Sequence, residues 1–280
     1  MHLVVYLLKA LSFLPLPVLY AVSNILAPLL EYVFRYRIVV VDENLRNAFP
    51  EKSPKDRSSI RHRYYSYLAD LIVETLKLHS MSAESLKKRV RFAQPDLLAE
   101  LGSAGNNVII MMGHSGNWEW AGVTTELLYE ARILPVYRKI KSEPFDRFYY
   151  QLRSRFGSKP VLDKEIMQMI GQQEERHIVA MLADQTPSPK KAIWLDFLHQ
   201  DTPFFRGTEI LAQRSNHAIV FAHVNRLSRG NYEIQLEQLS EDNKGRVTIA
   251  FAEFLERQIH AQPYNWLWSH KRWKHKRKKD

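Results

Sequence analysis

The sequence predicts an α/β fold, with helices on both sides of a mostly parallel central sheet and a hydrophobic helical anchor before it. Three observations carry this prediction: short apolar runs without polar alternation, helical stretches between them, and a long uncharged segment near the amino terminus. Strands that are apolar on both faces are typical of parallel sheets whose two surfaces are covered by helices. At 280 residues, the chain is long enough to bury a complete hydrophobic core.

The predicted strands and helices alternate along the second half of the chain. The apolar runs are residues 108–112, 133–137, 177–183 and 218–224. The helical stretches are residues 118–130, 144–156, 164–173 and 208–215. A longer amphipathic helix is predicted over residues 54–79, because apolar residues recur there at helical spacing.

Polar residues directly follow each apolar run. The runs end, in chain order, at His114, at Arg138, at Asp184 with Gln185, and at Asn225 with Arg226. The carboxyl ends of parallel strands meet at one edge of a sheet, where ligands of such folds bind. The sequence therefore predicts a binding or catalytic site at this edge.

The first of these strand ends combines a histidine with a carboxylate five residues later. On a continuous helix or strand, His114 and Glu119 would point apart, so only a turn at Gly116 and Asn117 brings them together. Asn117 is a suitable N-cap, which places Glu119 in the first turn of the following helix. We expect Glu119 to orient His114, so that the second imidazole nitrogen acts as a general base. The alternative is a structural histidine at the strand end, whose hydrogen bonds are satisfied and which takes no part in catalysis.

The residue types also bound the chemistry. The chain has no cysteine, which excludes a thiolate nucleophile, a disulfide and a zinc site built on cysteine. Ser115 adjoins His114, but neighbouring side chains of an extended strand point apart. Base-assisted attack by a substrate hydroxyl, without an acyl-enzyme, is the simpler mechanism. His199, His217 and His223 have no recognised ligand spacing, so we expect neither a metal nor another cofactor.

The amino-terminal segment points to a membrane. Residues 10–30 carry no charge and would span about 30 Å as a helix. Three prolines interrupt this run, so we expect residues 1–37 to form an anchor that is embedded in a membrane or lies on it. A buried pair of soluble helices and a signal peptide are the alternatives. Arg35 and Arg37, which follow the run, favour a cytoplasmic main domain by the positive-inside tendency.

The carboxyl-terminal segment combines tryptophans with positive charge. Trp266, Trp268 and Trp273 are interleaved with lysines and arginines, and the whole chain has a formal net charge of +10. We expect this tail to dock on an anionic membrane leaflet or on an acidic carrier protein, and a merely solvated tail is the alternative. Basic and aromatic residues also suit RNA, but no nucleic-acid-binding module is visible.

An ordered set of motifs resembles a known family. Gly113 to Glu119, reading GHSGNWE, resembles the H-x4-D/E block of bacterial lysophospholipid-type acyltransferases and, more closely, of the lipid A biosynthesis lauroyl/myristoyl acyltransferases. The further matching segments are Val136-Tyr137-Arg138 with Phe145-Asp146, Arg155-Phe156-Gly157, Ala183-Asp184-Gln185, Gly207-Thr208-Glu209 and Val224-Asn225-Arg226. Residues 44–50 match as well, so the resemblance covers nearly the entire chain.

The resemblance implies a glycerol-phosphate acyltransferase-like fold and a reaction. A fatty acyl chain would move from an acyl-carrier-protein thioester to a hydroxyl of a lipid A-type glycolipid precursor, at the cytoplasmic face of the inner membrane. By position in the motifs, His114 would be the general base, Glu119 its orienting partner, and Arg138 a contact for a substrate phosphate or an oxyanion. The residues expected to bind substrate are Asn117, Arg138, Asp184, Gln185 and Arg226.

One stretch departs from the family pattern and leaves the acceptor open. The family commonly follows its Asp-Gln pair with a loop containing glycine, whereas residues 186–206 contain none. An acyltransferase acting on another membrane lipid, with carrier protein or coenzyme A as donor, is therefore the alternative. A basic, membrane-attached nucleic-acid-binding protein is the alternative of another class. We divide the chain into an anchor (1–37), an acyltransferase catalytic domain (38–262) and a Trp-containing basic tail (263–280).

Overall fold

The structure, a computed structural model, describes residues 2–171, 175–240 and 245–277. Its strands are β1 (Val90–Phe92), β2 (Val108–Met112), β3 (Arg132–Tyr137), β4 (Val161–Leu162), β5 (His177–Leu182), β6 (Ala192–Phe197), β7 (Gln200–Phe205), β8 (Ala218–Ser228) and β9 (Asn231–Gln238). Its helices are α1 (His2–Ser12), α2 (Leu16–Pro28), α3 (Ile38–Ala48), α4 (Pro54–Lys77), α5 (Ala83–Arg89), α6 (Leu97–Ser103), α7 (Trp118–Leu128), α8 (Glu143–Arg153), α9 (Ile166–Gly171), α10 (Arg206–Arg214) and α11 (Val247–Ala261). A π-helical segment, Leu29–Val33, follows α2 directly. The end of the helical stretch predicted to reach residue 173, and the last three residues of the predicted tail, lie outside the described residues.

Seven strands form the central sheet, in the order β1-β9-β8-β2-β5-β3-β4. Strands β8, β2, β5, β3 and β4 run parallel, whereas β9 is antiparallel to β8. The four predicted apolar runs are the four neighbours β8, β2, β5 and β3, so the predicted α/β fold with a mostly parallel sheet is confirmed. Met112 of β2 pairs with Leu182 of β5 and Ala222 of β8. The residues that follow β2 and β5 therefore lie side by side at one edge.

The sheet separates two hydrophobic layers, because successive side chains of each strand point to opposite faces. Ile109 and Met111 of β2 face the layer that contains side chains of α3, α10 and α11. Ile110 and Met112 face the other layer, which contains side chains of α5, α7 and α8. All five residues of β2 are buried, as expected of a strand that is covered on both faces.

The amino-terminal segment forms two helices rather than one, because prolines separate them. Pro15 is the N-cap residue of α2, and Pro17 lies in its first turn, where the missing N–H has no helical partner to lose. Within the described residues, Leu16–Val33 is the one segment that is long and apolar enough to cross a membrane. This finding is consistent with the predicted anchor and concerns length and composition only.

One side of α2 packs on α4, and the other side is exposed. Ser23 of α2 donates a hydrogen bond to Asp70 at 2.6 Å, and Tyr20 donates one to Glu74 at 2.8 Å. Its outward-facing apolar residues include Val18, Val22 and Ile25, which are 45–64% exposed. Buried polar bonds therefore tie the helix to α4 while it presents an apolar surface outward.

The glycine-free stretch after Gln185 contains the hairpin of β6 and β7. Its two turn residues, Leu198 and His199, have φ angles of 52° and 61°, a conformation that glycine and asparagine usually take in hairpin turns. Leu198 is fully buried within the layer that contains α11. Burial of its side chain offsets the strain of the turn, so the chain makes a tight hairpin without glycine.

The carboxyl-terminal segment packs into the domain. Trp266 and Trp268 are buried, with their ring centroids 4.8 Å apart, and Trp268 packs on Phe49 at the end of α3. The expectation that these tryptophans face a membrane or a carrier protein is therefore wrong for Trp266 and Trp268, because they fill the core instead. The boundaries of the predicted domains stay predictions.

Candidate active site

His114 lies beyond the end of β2, separated from it by Gly113. A Cβ at Gly113 would lie 2.6 Å from a side-chain atom of α11 and 3.2 Å from the Asp184 carboxylate. Gly116 has a φ of 58°, and a Cβ there would lie 2.3 Å from the carbonyl oxygen of Val224 in β8. Gly116 requires glycine, because its positive φ and the close backbone of β8 exclude a side chain, and its turn holds His114 against Asp184. At Gly113 a side chain would displace the end of the Leu255 side chain.

Asp184 follows β5, the neighbour of β2. Its Oδ1 accepts a hydrogen bond from Nδ1 of His114 at 2.5 Å, and its Oδ2 accepts one from the His114 backbone N–H at 2.7 Å. The indole N–H of Trp266 donates to the same Oδ2 at 2.8 Å. Asp184 is only 2% exposed, so these three bonds replace its hydration. They fix the carboxylate, and the carboxylate fixes the orientation of the His114 ring.

The hydrogen bonds also decide which ring nitrogen of His114 carries the lone pair. Burial alone would raise the pKa of Asp184, but the charge of His114 and the hydrogen bonds from His114 and Trp266 lower this pKa to about 2. The ionised carboxylate accepts the Nδ1–H proton, which leaves the lone pair of the neutral ring on Nε2. In this tautomer the side-chain amide of Gln185 donates to Nε2 at 3.1 Å.

A cavity of about 440 Å³ opens beside His114. Most of its lining is apolar and comes from β2, β3, β5, α7, α9 and α10. From β2 to Ile166 and Met167, beside β4, the lining crosses the ends of three neighbouring strands, a distance of about 14 Å. Long apolar walls with a base at one end suit a substrate that has an aliphatic chain and a reactive polar head.

Glu119 lines this cavity but makes no hydrogen bond with His114. Its carboxylate accepts two bonds from Arg153 of α8, at 2.9 Å from Nε and 2.5 Å from Nη2. Burial raises the pKa of Glu119, but Arg153 outweighs burial and lowers this pKa. The prediction that Glu119 orients His114 is therefore wrong: α7 directs Glu119 towards α8, and Asp184 occupies the position at Nδ1. A direct catalytic role for Glu119 stays a prediction.

Asn117 has a structural position. Its Oδ1 accepts the backbone N–H of Trp120 at 3.0 Å and so caps α7, while its Nδ2 donates to Glu74 at 2.8 Å. Glu74 also accepts hydrogen bonds from Tyr20 at 2.8 Å and Tyr232 at 2.6 Å, which joins α2, α4, α7 and β9. Asn117 is fully buried and does not line the cavity. The expectation that Asn117 contacts substrate is therefore corrected. Asn117 instead holds the start of α7.

The two arginines predicted at strand ends lie at different sites. Arg138 lines the cavity, binds Asp163 at 3.0 Å and has a side chain that is 62% exposed, so a ligand can reach it. Arg226 lies outside this cavity and binds Asp70 of α4. The structure thus brings His114, Arg138 and Gln185 to one cavity. Asp184 does not line the cavity but binds His114, and Arg226 lies apart from them.

Two residues of the site were not predicted as such. Arg153 neutralises Glu119, and Trp266 holds Asp184 from a segment that lies 82 residues further along the chain. Helical spacing places Arg153 on the face of α8 that meets α7, whereas no sequence signal points to Trp266. Ser115 is 1% exposed and does not line the cavity, and its hydroxyl has no partner within the described residues. Ser115 is therefore not arranged as a nucleophile for His114.

A buried histidine–carboxylate pair at an apolar cavity is an arrangement suited to acyl transfer. A comparison with curated proteins finds no match. A protein-family model described as bacterial lipid A biosynthesis acyltransferase matches residues 1–275 of the chain. Because this match covers nearly the whole sequence, the protein belongs to the bacterial lipid A biosynthesis acyltransferases, a membrane-associated family of acyl-transferring enzymes.

Proposed function

We propose that this enzyme transfers a fatty acyl chain from an acyl-carrier-protein thioester to a hydroxyl of a lipid A-type glycolipid precursor. The observation that carries the proposal is the His114–Asp184 pair, whose Nε2 borders an apolar cavity of about 440 Å³. The reaction breaks the C–S bond of the thioester and forms the C–O bond of an ester. It needs a base for the hydroxyl proton and an acid for the leaving thiolate, and one imidazole can serve as both.

In the proposed mechanism, His114 Nε2 accepts the proton of the acceptor hydroxyl while the hydroxyl oxygen attacks the thioester carbonyl. The hydroxyl replaces the Gln185 amide as the partner of Nε2. Asp184, which is ionised, stabilises the imidazolium that forms. When the C–S bond breaks, the same proton passes from Nε2 to the sulfur, and His114 returns to its neutral form. No residue of the enzyme is acylated.

The tetrahedral intermediate carries negative charge on the former carbonyl oxygen. Arg138 borders the cavity with an exposed guanidinium group, which stabilises this oxyanion or holds a phosphate of the substrate. Gly207 and Thr208, in the first turn of α10, line the cavity as well. Backbone N–H groups in the first turn of a helix have no intrahelical acceptor and favour negative charge nearby.

The apolar part of the cavity receives the acyl chain. Each methylene group that leaves water contributes about 0.8 kcal/mol, so a fatty chain supplies much of the binding energy. The exposed apolar side of α2 supports attachment to the inner membrane, with the catalytic domain at the cytoplasmic face. The net charge of +10 favours an acidic carrier protein and an anionic leaflet as partners.

The direct test is an acyl-transfer assay with the purified full-length enzyme in lipid nanodiscs. The donors are acyl carrier protein and coenzyme A carrying the same chain, and the acceptor is a glycolipid precursor with a free hydroxyl. We expect transfer by the wild type, faster from the carrier protein, and a loss of about 10³-fold in His114→Ala. Near wild-type turnover in His114→Ala would contradict the mechanism. Transfer to a different membrane lipid alone would contradict the proposed acceptor.

Gly122 tests the assignment of the cavity to the acyl chain. It lies in α7 and lines the cavity, and no atom lies within 4 Å of a Cβ built on it. A leucine there fills space inside the cavity, so we expect Gly122→Leu to lower kcat/KM for long acyl chains more than for short ones. Gly122→Ala is the matched control, because it adds one methyl group and stabilises the helix by about 1 kcal/mol. An equal loss for all chain lengths would contradict the assignment.

A further inference from the structure

A second cavity, of about 260 Å³, lies between α4 and the hairpin of β8 and β9. Three arginines line it: Arg63 of α4, Arg226 of β8 and Arg229 of the turn that follows, and Tyr264 completes one wall. This cavity is separate from the one at His114, with which it shares none of its lining residues. The proposed mechanism uses none of these side chains.

The cavity has more positive than negative charge. Arg226 and Arg229 both bind the carboxylate of Asp70, the latter through Nε at 2.9 Å, and Asp70 also accepts the hydroxyl of Ser23. One carboxylate thus forms ion pairs with two guanidinium groups. Arg63 pairs with no carboxylate in the described part of the chain, and its guanidinium stacks on the Tyr264 ring at 3.9 Å. Stacking of this kind holds the planar group and leaves its N–H donors free for an anion.

The cavity also lies beside the apolar helix. Arg229 stacks on the ring of Tyr20 in α2 at 4.4 Å and donates a hydrogen bond to the Tyr20 carbonyl at 3.3 Å. The opposite side of α2 carries its exposed apolar residues. Leu227, at the lip of the cavity, is 50% exposed. When the exposed side of α2 is inserted in a leaflet, Arg229 therefore lies near the lipid headgroups, and the other two arginines line the same cavity.

The second cavity lies close to His114. Gly116, two residues after His114, contacts Val224 in β8, and Arg226 follows Val224 by two residues. Two residues of a strand cover about 7 Å, so the backbone of Arg226 lies on the order of 15 Å from His114. A headgroup bound in this cavity is therefore close enough to belong to the molecule that is being acylated or to its neighbour in the leaflet.

We propose that Arg63, Arg226 and Arg229 form a binding site for a phosphate ester in the headgroup of a membrane lipid. Guanidinium groups bind phosphate oxygens through paired N–H donors, and Asp70 holds two of the three groups in place for this contact. The phosphate belongs either to the glycolipid acceptor or to the surrounding phospholipid. The first of these sources rests on the proposed function, whereas the second does not.

The test uses Arg63→Gln, because Arg63 is exposed and its removal leaves the ion pairs of Asp70 intact. Lys55→Gln is the matched control, since it removes an exposed positive charge from the same helix outside the cavity. Binding of the full-length protein is measured on vesicles of phosphatidylcholine with and without phosphatidylglycerol, at an ionic strength of about 0.15 M. For a phospholipid source we expect the preference for phosphatidylglycerol to fall about fivefold in Arg63→Gln and not in Lys55→Gln.

A kinetic measurement tests whether the bound phosphate belongs to the glycolipid acceptor. The ratio of KM between a dephosphorylated and a phosphorylated glycolipid acceptor is measured for the same proteins. For this source we expect the ratio to fall about tenfold in Arg63→Gln and to stay unchanged in Lys55→Gln. The proposal is overturned when neither quantity changes, or when Lys55→Gln changes it equally. A wild-type enzyme that binds anionic vesicles but acylates no glycolipid would refute the proposed function and leave this site intact.

Discussion

Two buried carboxylates near His114 have different partners. Glu119 lines the cavity, whereas Asp184 does not. Asp184 accepts Nδ1–H of His114, whereas Glu119 accepts two bonds from Arg153. Glu119 is five residues from His114 along the chain, and Asp184 is 70 residues away. The distant carboxylate meets the histidine because β5 is the neighbour of β2, and the near one turns away because it begins a helix. Adjacency in the sheet, rather than in the chain, selects the partner of His114.

The largest expected effect is a difference in kcat between variants of the two carboxylates. Asp184→Asn removes the charge that holds Nδ1–H, so we expect kcat to fall about 10³-fold, as in His114→Ala. Glu119→Gln leaves the bond between His114 and Asp184 in place, so its loss should be much smaller. Acyl transfer under single-turnover conditions measures both, with circular dichroism to confirm the fold. A larger loss in Glu119→Gln than in Asp184→Asn would reverse the comparison.

The second effect concerns stability. Glu119→Gln leaves the guanidinium of Arg153 without its charged partner, and its side chain is only 20% exposed. We expect the free energy of unfolding of Glu119→Gln to be lower by about 3 kcal/mol, because the buried charge of Arg153 is then uncompensated. The double variant Glu119→Gln/Arg153→Met should recover most of this loss, since it removes both charges. Urea unfolding of the three proteins measures the coupling, and a double variant less stable than Glu119→Gln would contradict it.

The third effect is the response of Asp184 to acid. Its pKa is lowered from 3.8 to about 2, so it stabilises the fold fully above pH 4 and loses this contribution as the pH falls towards 2. The shift corresponds to about 2 kcal/mol at neutral pH. Asp184→Asn should therefore lose less stability than the wild type between about pH 4 and pH 2. Equal losses of the free energy of unfolding would contradict the pairing of Asp184.

The smallest effect is expected at Trp266, which acts through Asp184. Trp266→Phe keeps the aromatic packing but removes the N–H that donates to Oδ2. We expect kcat to fall about tenfold, and the pH at which Asp184 stops stabilising the fold to move up because Asp184 loses a donor that lowers its pKa. Trp268→Phe is the matched control, since its indole N–H donates to Pro263 instead. An equal shift of acid unfolding in both variants would assign Trp266 a packing role only.

Much of the fold could be predicted from the sequence, because burial on both faces leaves a clear pattern. The run that became β2 was predicted with its observed bounds, and the neighbours of β2 were among the predicted strands. The antiparallel hairpin of β6 and β7 was not predicted, since its turn uses Leu198 and His199 in conformations that other sequences give to glycine. Packing of Leu198 in the core stabilises this turn, and such packing produces no recognisable pattern in the neighbouring sequence.

The candidate site could be predicted only in part. His114, Gln185 and Asp184 were placed at one sheet edge by the polar residues that end the apolar runs. Their pairing could not be predicted, because it depends on which strand lies beside β2. Trp266 was missed for a related reason: a tryptophan within a basic segment suits a membrane surface as well as a core, and only the fold decides.

In the proposed mechanism Asp184, and not Glu119, orients His114. The most direct measurement is the proton resonance of the His114 Nδ1–H group in protein labelled with [15N]histidine. We expect a strongly deshielded signal in the wild type that persists in Glu119→Gln and disappears in Asp184→Asn. A signal that disappears in Glu119→Gln and persists in Asp184→Asn would show that Glu119 orients His114 instead.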